Sequence, residues 1–423
     1  MMMTAARPGR GRTSGLRLRT RRVRYAGNGL RSVPLEKTLA AIEKFLLEHD
    51  DEVQFEIFRR DEDGATRAAL QDLTPLREPL YQRYSGKGIS SGQASASAFM
   101  EFIERLAARA QPRARLVEAS FGELASDAVD PRFFSLSSDA AWDADKKLDW
   151  VSGYSLTRSR PVLVPANLVF APYLADQEEK YICLSDSNGL ASGNNLEEAV
   201  LHGLMEVVER DAAMIGEYNR LGRPEFAPEG LPPDVLGLAG LLSERGYRCS
   251  FRNATTDIPV PAVSAFLQNE ADPSLCCVAF GCDLDPQVAF SRALTEAVQL
   301  LPPSYNQKEW LESGSPQHYA APSPVTMRPT ELPNAATDDL KKNIEICVAA
   351  LEQAGSEVIV VDLSLPDVPF PAVRVLATGL QPIVRQDDLR LSARFYHVPV
   401  ILGLRKGPSD PSRVHFWPLC GYR

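Results

Sequence analysis

The sequence predicts a mixed α/β protein, and three observations support this prediction. Segments with helical periodicity alternate with short apolar segments that have the periodicity of strands. A Gly/Ser-rich turn that runs into a long helix occurs twice. The chain has 423 residues, of which 44% are hydrophobic and 24% charged, as expected for a globular protein with one large unit or two. Because no run of about 18 apolar residues occurs, the sequence predicts no membrane-spanning segment.

The N-terminal segment is strongly basic. Residues 1–24 contain eight arginines and no acidic residue, although the whole chain has a net charge of −9. One interpretation is a contact with nucleic acid or an acidic peptide. The interpretation that we favour is a disordered tail over residues 1–25, or a start codon placed too early, followed by one domain over residues 26–423. The acidic body argues against nucleic acid as the main substrate.

The first half of the chain contains two Gly/Ser-rich turns that each precede a long helix. Residues 34–47 have helical periodicity, and residues 53–58 alternate like a strand. The turn at 84–88 precedes a helix that reaches about residue 110. Two further strands are predicted at 161–165 and 180–184, before a second long helix that ends near Met214.

The second half continues the alternation of helices and strands. The predicted elements are a helix at 233–245, strands near Ser250 and at 276–281, a helix from 286, a polar loop at 304–336, a helix at 338–355, and strands at 357–363 and 372–377. We therefore divide the domain into a first motif half at about 26–115, a second at about 150–300 and a C-terminal part at about 337–423.

The cysteines predict a reducing compartment. The chain has seven, an odd number, with no CxxC spacing and mostly apolar neighbours. They are therefore expected to be reduced core thiols, which are typical of a cytoplasmic protein.

The most informative pattern is an internal duplication. Residues 86–105 read GKGISSGQASASAFMEFIER, and residues 187–210 read SNGLASGNNLEEAVLHGLMEVVER. Each copy passes from a Gly/Ser-rich turn into a helix that ends in Met-Glu-x-x-Glu-Arg. Two copies of one unit predict a pseudo-symmetric site where the copies face each other.

Helix geometry places polar side chains of each copy on one face, because residues three and four apart are neighbours. These side chains are Ser97, Glu101, Glu104 and Arg105 in the first copy, and Glu198, His202, Glu206, Glu209 and Arg210 in the second. The other faces are apolar, so both helices are expected to be buried, and buried carboxylates need partners.

The composition of these faces indicates a metal and a nucleotide. Carboxylate oxygens suit Mg²⁺, the backbone N–H groups of the turns suit phosphate, and Arg105 and Arg210 can neutralise charge on a transferred phosphoryl group. A single ExxER is more often a solvated helix face. Two copies, both with apolar flanks, favour the metal–nucleotide interpretation.

A third segment, at 291–299, places Arg292, Glu296 and Gln299 on one helical face. Taken alone it is an ordinary amphipathic helix. The chain contains no GxxxxGK[ST], no G-x-S-x-G and no HExxH, so neither a P-loop nor the hydrolase and zinc-protease motifs are present.

These segments together resemble the YcaO family. The resemblance is carried by the two copies above, by SRALTEAVQ (291–299), by RSVPLEKTL (31–39) and by WVSGYSLTRSRPVLVPANLV (150–169), and it extends from about residue 26 to the C-terminus. It implies a YcaO-type ATP-binding fold in which glutamates hold two Mg²⁺ ions between ATP and the protein.

The resemblance implies a role for each motif residue. The expected metal ligands are Glu101, Glu104, Glu206, Glu209, Glu296 and Gln299. The expected nucleotide-binding residues are Arg31, Thr38, Ser97, Arg105, Asn194, Glu198, Arg210 and Arg292. The expected catalytic residues are Arg105 and Arg210.

The resemblance also implies a reaction. In an azoline-forming cyclodehydratase, a Cys, Ser or Thr side chain of a ribosomally made peptide attacks the preceding amide carbon, and the amide oxygen takes the γ-phosphoryl group of ATP. The expected partners are the precursor peptide, a ThiF-like protein that binds its leader, and a second copy of the chain. The sequence departs from the family pattern at two places. Leu301 stands where an arginine is common, and the last residues contain one proline, Pro418, where many azoline-forming members have a Pro-rich tail.

Two alternatives stay open. A thioamide-forming YcaO protein activates the same oxygen but uses a sulfur donor, often with a TfuA-like partner. A catalytically silent YcaO-like scaffold binds the precursor peptide only.

Overall fold

The structure is a computed structural model of the whole chain. The residues that it describes are 15–24, 29–48, 55–60, 67–72, 82–109, 111–137, 142–301, 311–383 and 390–414. The first 14 residues of the predicted basic tail and the C-terminal segment with Pro418 lie outside this described part.

The helices and strands alternate along the chain, as the sequence predicts. The helices are α1 (Leu35–Glu48), α2 (Ser91–Arg109), α3 (Phe121–Leu124), α4 (Leu196–Asn219), α5 (Pro233–Ser243), α6 (Pro286–Gln299), α7 (Ser315–Ala320), α8 (Leu340–Gln353) and α9 (Ala393–Ile401). The strands are β1 (Phe55–Arg60), β2 (Arg67–Asp72), β3 (Gln82–Gly86), β4 (Val117–Ser120), β5 (Lys147–Ser155), β6 (Arg160–Pro165), β7 (Leu190–Ser192), β8 (Glu225–Phe226), β9 (Tyr247–Asn253), β10 (Ala262–Asn269), β11 (Cys276–Cys282), β12 (Thr326–Met327), β13 (Val358–Asp362) and β14 (Ala372–Ala377).

Three sheets organise these strands. The first has the order β1-β2-β3, and the second has the order β11-β10-β9-β8-β12. The third has the order β4-β5-β13-β14-β7, with β6 paired to β5. Because β13 and β14 lie between β5 and β7, the C-terminal part of the chain completes a sheet that the first half begins.

The order helix, three antiparallel strands, helix occurs twice, in α1-β1-β2-β3-α2 and in α5-β9-β10-β11-α6. In each unit a glycine of the last strand contacts the backbone of the next helix. A Cβ atom would lie 1.9 Å from the Ala94 carbonyl oxygen at Gly86, and 2.3 Å from the Ala289 carbonyl oxygen at Gly281. Both contacts join a glycine to the residue eight positions later, so α2 and α6 are held against their strands in the same way.

Helix α4 is buried along most of its length. It begins after Asn195, whose side-chain oxygen accepts a hydrogen bond from the Glu198 N–H, and it ends at Arg220 in the left-handed conformation. The helix packs on β7, β14, α8 and β11. Contact with β14 is close, since a Cβ at Gly203 would lie 2.6 Å from Val375 Cγ2. Apolar side chains on nearly all sides explain this burial.

Most of the predicted elements are present, but the structure differs in several places and contains β2, β3 and α9, which the sequence does not predict. Segment 180–184 is not a strand, because the N–H groups of Ile182 and Cys183 donate to the Asn167 side-chain oxygen, at 2.8 and 3.0 Å, instead of to a neighbouring strand. Strand β10 has no counterpart among the predictions, because its first six residues are all buried and lack an alternating pattern. The predicted loop at 304–336 contains helix α7.

Part of the basic N-terminal segment contacts the body of the protein. We call residues 15–24 the arm. The Arg19 N–H donates to Glu197 Oε1 at 2.6 Å, and the Leu340 N–H donates to the Arg21 carbonyl oxygen at 2.9 Å. Leu16, Leu18 and Val23 pack against the core that contains α4, while Arg17, Arg19 and Arg22 between them are exposed.

The described cysteines are free thiols, and five of these six are buried. Within the described residues, no helix has the length and apolar character needed to cross a membrane.

Candidate functional site

A cavity of about 690 Å³ lies between α2, α4, α6 and the segment at 29–38. All of the residues that the sequence singles out line it: Arg31, Thr38, Ser97, Glu101, Glu104, Arg105, Asn194, Glu198, Glu206, Glu209, Arg210, Arg292, Glu296 and Gln299. The three motif helices, which are distant in the sequence, therefore share one cavity.

The carboxylates of α2 accept hydrogen bonds from the backbone. Glu101 Oε2 accepts from the Ser85 N–H at 3.0 Å, and Arg105 lies 3.6 Å from the other Glu101 oxygen. Glu104 Oε1 accepts from the Ser192 N–H at 2.9 Å and from the Ser192 hydroxyl at 3.1 Å. Burial, followed by the charges of Glu206 and Glu101, raises the pKa of Glu104 to about 8. Glu104 thus joins α2 to the end of β7.

The carboxylates of α4 lie beside two arginines but are held loosely. Arg210 is 3.9 Å from Glu206 and 3.8 Å from Glu209, and Arg292 of α6 is 3.9 Å from Glu209. Glu206 also accepts a hydrogen bond from the Gly189 N–H at 3.3 Å. Burial raises the pKa of Glu206, and the Arg210 charge opposes this shift.

The N-terminal end of α4 is tied to the segment at 29–38. Glu198 accepts hydrogen bonds from the Ser32 N–H and hydroxyl, both at 2.8 Å, and from the Asn194 side-chain amide at 2.8 Å. The Thr38 hydroxyl donates to the Asn194 side-chain oxygen at 2.7 Å. Burial opposes ionisation of Glu198, but the Arg31 charge and these hydrogen bonds outweigh it and lower the pKa.

Helix α6 lines the cavity and contacts the segment at 84–88. Glu296 forms an ion pair with Lys87, and the Gln299 amide donates to the Ser85 hydroxyl at 2.7 Å. Lys87 is absent from the residues that the sequence analysis selects. Burial, followed by the Arg292 charge, lowers the pKa of Lys87 to about 7. A lysine between two glycines, just before a helix whose turn is predicted to bind phosphate, was the available signal.

His202 also lines the cavity, one turn before Glu206. Burial and the charges of Arg292 and Arg31 lower the pKa of this histidine well below its usual value. A neutral imidazole at this position can contact a nucleotide base or ribose without adding charge.

The cavity fits a metal-bound polyanion. Among the described residues, no three acidic, His or Cys side chains already share a metal-binding arrangement. Within the same part of the chain, however, the buried atoms Glu209 Oε2 and Arg292 Nε have no hydrogen-bond partner. An unpaired carboxylate oxygen suits a divalent cation, and an unpaired guanidinium N–H suits a phosphate oxygen.

Comparisons with known proteins agree with this geometry. Residues 85–381, well over half of the chain, match the family model described as YcaO cyclodehydratase, ATP- and Mg²⁺-binding. An uncharacterised protein of Methanothermobacter thermautotrophicus is 33% identical over 316 residues, which cover 70% of this chain and 81% of that protein. An uncharacterised protein encoded in the tfuA 3′ region of Rhizobium leguminosarum bv. trifolii is 28% identical and covers 74% of this chain and 80% of that protein.

Two solved structures have the same fold. A heterocyclase in complex with substrate and cofactor matches with a TM-score of 0.82 and 26% identity over 96% of this chain, which spans 59% of the heterocyclase. YcaO from Methanopyrus kandleri, bound with AMPPCP and Mg²⁺, matches with a TM-score of 0.71 and 28% identity over 94% of this chain and 98% of that protein.

These findings confirm three predictions from the sequence: the family, the α/β fold of the YcaO type, and ATP and Mg²⁺ as the cofactors. The chain belongs to the YcaO family of ATP- and Mg²⁺-binding proteins.

Proposed function

We propose that the cavity between α2, α4 and α6 binds Mg-ATP, and that the protein uses it to phosphorylate the oxygen of a peptide-backbone amide. The observation that carries this proposal is the convergence of seven glutamates with five cationic side chains in one cavity of about 690 Å³. A solvated helix face, the ordinary interpretation of ExxER, does not explain carboxylates from three helices around one space.

In this proposal, the magnesium ligands are Glu101, Glu104, Glu206, Glu209 and Glu296, with Gln299 beside them. Bound Mg²⁺ neutralises the phosphate charge and fixes the phosphate geometry. Arg31, Thr38, Ser97, Asn194, Glu198 and Arg292 hold the nucleotide. Glu198 does so indirectly, because its oxygens already accept hydrogen bonds from Ser32 and Asn194.

Arg105 and Arg210 stabilise the charge that develops on the transferred phosphoryl group. Each lies 3.6 to 3.9 Å from a glutamate oxygen, too far for a strong hydrogen bond to that carboxylate, and each lines the cavity where the phosphates would bind. Since Arg105 comes from α2 and Arg210 from α4, the phosphoryl group is contacted from two sides.

The proposed product is an azoline ring. A Cys, Ser or Thr side chain of the substrate peptide adds to the preceding amide carbon and loses its proton. The amide oxygen takes the γ-phosphoryl group, with release of ADP. That oxygen then leaves as phosphate while the amide nitrogen loses its proton, so the net change is a dehydration. The TM-score of 0.82 to a substrate-bound heterocyclase supports this choice.

A second candidate product is a thioamide. The activated amide is then attacked by a sulfur donor, and the same phosphate leaves. The relative from the tfuA 3′ region supports this candidate. The corresponding partners are a precursor peptide with a ThiF-like protein, or a TfuA-like protein, and a second copy of the chain.

ATP turnover tests the proposal. Glu206→Gln removes a proposed ligand and should abolish Mg-ATP hydrolysis with a precursor peptide, while the melting temperature stays close to that of the wild type. The matched control is Glu345→Gln, because Glu345 lies exposed on α8. Full activity of Glu206→Gln contradicts the ligand assignment. A protein that binds Mg-ATP yet never consumes it favours the silent scaffold instead.

Whether turnover requires a sulfur donor distinguishes the two candidate products. Turnover with peptide alone, and a mass loss of one water, indicates azoline formation. Turnover only with added sulfide, and an exchange of oxygen for sulfur, indicates a thioamide.

A further inference from the structure

A second, smaller cavity of about 70 Å³ lies behind the nucleotide cavity, between α4, β14 and the loops at 134–135, 186–188 and 380–382. Arg210 lines both cavities. The intervening loop also serves both, since Ser187 faces the larger cavity while Asp186 and Asn188 face the smaller one. The side chain that we place at the phosphoryl group is therefore part of the wall between them.

The second cavity is rich in cationic groups. Arg210, Arg374 and Arg390 line it, together with the carboxylate of Asp186. Asp186 accepts a hydrogen bond from Arg374 Nη2 at 2.6 Å and from Arg390 Nη2 at 2.9 Å. Arg374 and Arg390 are each 3% exposed, so water can do little to solvate these two charges.

The buried polar atoms of this cavity that have no hydrogen-bond partner among the residues that the structure describes include Arg374 Nε and the Ser135 hydroxyl oxygen. Buried groups without a partner are rare in folded proteins and call for a bound water, an ion or a ligand. A guanidinium N–H can only donate, and a hydroxyl can donate as well, so the missing partner is an acceptor.

Size and charge restrict what this acceptor is. A volume of about 70 Å³ is far too small for a nucleotide or a peptide of several residues. The guanidinium groups favour a negative ligand over a neutral carbonyl oxygen. A compact anion satisfies both conditions.

We propose that this cavity binds a compact anion that enters or leaves the phosphoryl-transfer site past Arg210. The identity of the anion rests on the proposed function, which handles two such species: the phosphate that leaves the activated amide, and hydrosulfide as a sulfur donor. Binding itself rests only on the cavity and its unpartnered donors.

The test measures the binding of inorganic phosphate and of hydrosulfide to the full chain, each without nucleotide or peptide, by calorimetry. One of the two should bind, and Arg374→Gln should weaken it at least about tenfold, as expected for the loss of a charged hydrogen-bond donor. The matched control Arg245→Gln, on the surface, should leave the affinity unchanged, and Arg292→Gln reports any anion binding in the nucleotide cavity instead. If Arg374→Gln does not fold, Ser135→Ala replaces it, and a severalfold loss is expected.

Three outcomes overturn the inference: neither anion binds, a folded Arg374→Gln or Ser135→Ala variant binds like the wild type, or Arg292→Gln abolishes binding and so places the anion in the nucleotide cavity. The proposed function fails separately. A protein that hydrolyses ATP but binds neither anion keeps the function and loses this inference. One that binds phosphate through Arg374 but never hydrolyses ATP keeps the anion cavity and loses the reaction.

Discussion

Glu104 shows what the carboxylate cluster costs the protein before ligands bind. The raised pKa of about 8 means that the folded state disfavours the ionised carboxylate. The folded protein therefore binds more protons at this group than the unfolded chain does between the ordinary pKa of 4.5 and about 8. The stability of the apo protein should consequently fall as the pH rises through this interval.

This dependence predicts a stabilising substitution. Glu104→Gln removes the ionisable group but keeps an oxygen that can accept from Ser192. The ligand-free variant should melt at the same temperature as the wild type near pH 4.5 and at a higher temperature at pH 8, while it loses Mg-ATP binding. Thermal melts across this pH range measure the difference. A difference that does not grow with pH contradicts the pKa of Glu104.

Lys87 offsets part of the negative charge of the acidic cluster through its ion pair with Glu296. Lys87→Met should lower the melting temperature of the apo protein, since the Glu296 side chain is only 10% exposed and loses its ion-pair partner. Mg-ATP affinity should fall at least about tenfold, because a cation beside the phosphates is lost. Calorimetry with Lys37→Met, exposed on α1, provides the control. If Lys87→Met binds Mg-ATP as tightly as the wild type, Lys87 does not contribute to nucleotide binding.

The nucleotide-site glutamates could be selected from the sequence because they repeat with a fixed spacing. Lys87 could not, since it has no counterpart in the second copy, where Asn188 follows Ser187. Arg374 and Ser135 lie outside every motif, and only the three-dimensional packing of distant loops brings them together.

Among the elements, the arm has the clearest connection to the site. Glu197 is 2% exposed and receives the Arg19 N–H and, at 3.3 Å, Arg21 Nε. The next residue, Glu198, lines the nucleotide cavity. Docking of the arm therefore fixes the start of α4, where the predicted nucleotide contacts Asn194 and Glu198 lie just before and within the first turn.

This arrangement predicts that removal of residues 1–24 weakens Mg-ATP binding. Glu197→Ala should weaken it to a similar extent, and the two changes combined should add little, because both act through one contact. The control is Arg17→Ala, which changes an exposed side chain of the arm. Calorimetry measures the Mg-ATP affinity of each variant. If the deletion leaves the Mg-ATP affinity unchanged, residues 1–24 do not contribute to the nucleotide site.

Elements with a regular pattern, such as α1, α2, α6 and α8, could be predicted to within a few residues. Strand β10 could not, because a strand buried on both sides carries no alternation. Composition also does not predict the docking of the arm, because its many arginines suggest a solvated tail although three apolar side chains between them contact the core.

At the scale of the whole molecule, the C-terminal part is structural support for a site to which it gives none of the predicted nucleotide or metal residues. Strands β13 and β14 complete the sheet on which α4 packs, with Gly203 close against Val375. A chain that ends at residue 336 should therefore lose both its cooperative melting transition and Mg-ATP binding. Supply of residues 337–423 as a separate polypeptide should restore both in part. A truncated chain that still shows a Mg-ATP-dependent melting shift would contradict this role of the interleaved sheet.

The length and burial of α4 have one more consequence. Its 24 residues span about 36 Å, so a single rod passes from the arm, along the nucleotide cavity and the anion cavity, to the contacts around Asn219. Exposing its central backbone hydrogen bonds to solvent requires the strands and helices packed around α4 to separate from it. We therefore expect the central amides of α4 to be among the slowest to exchange with deuterium, at a rate set by global unfolding rather than by local fluctuation.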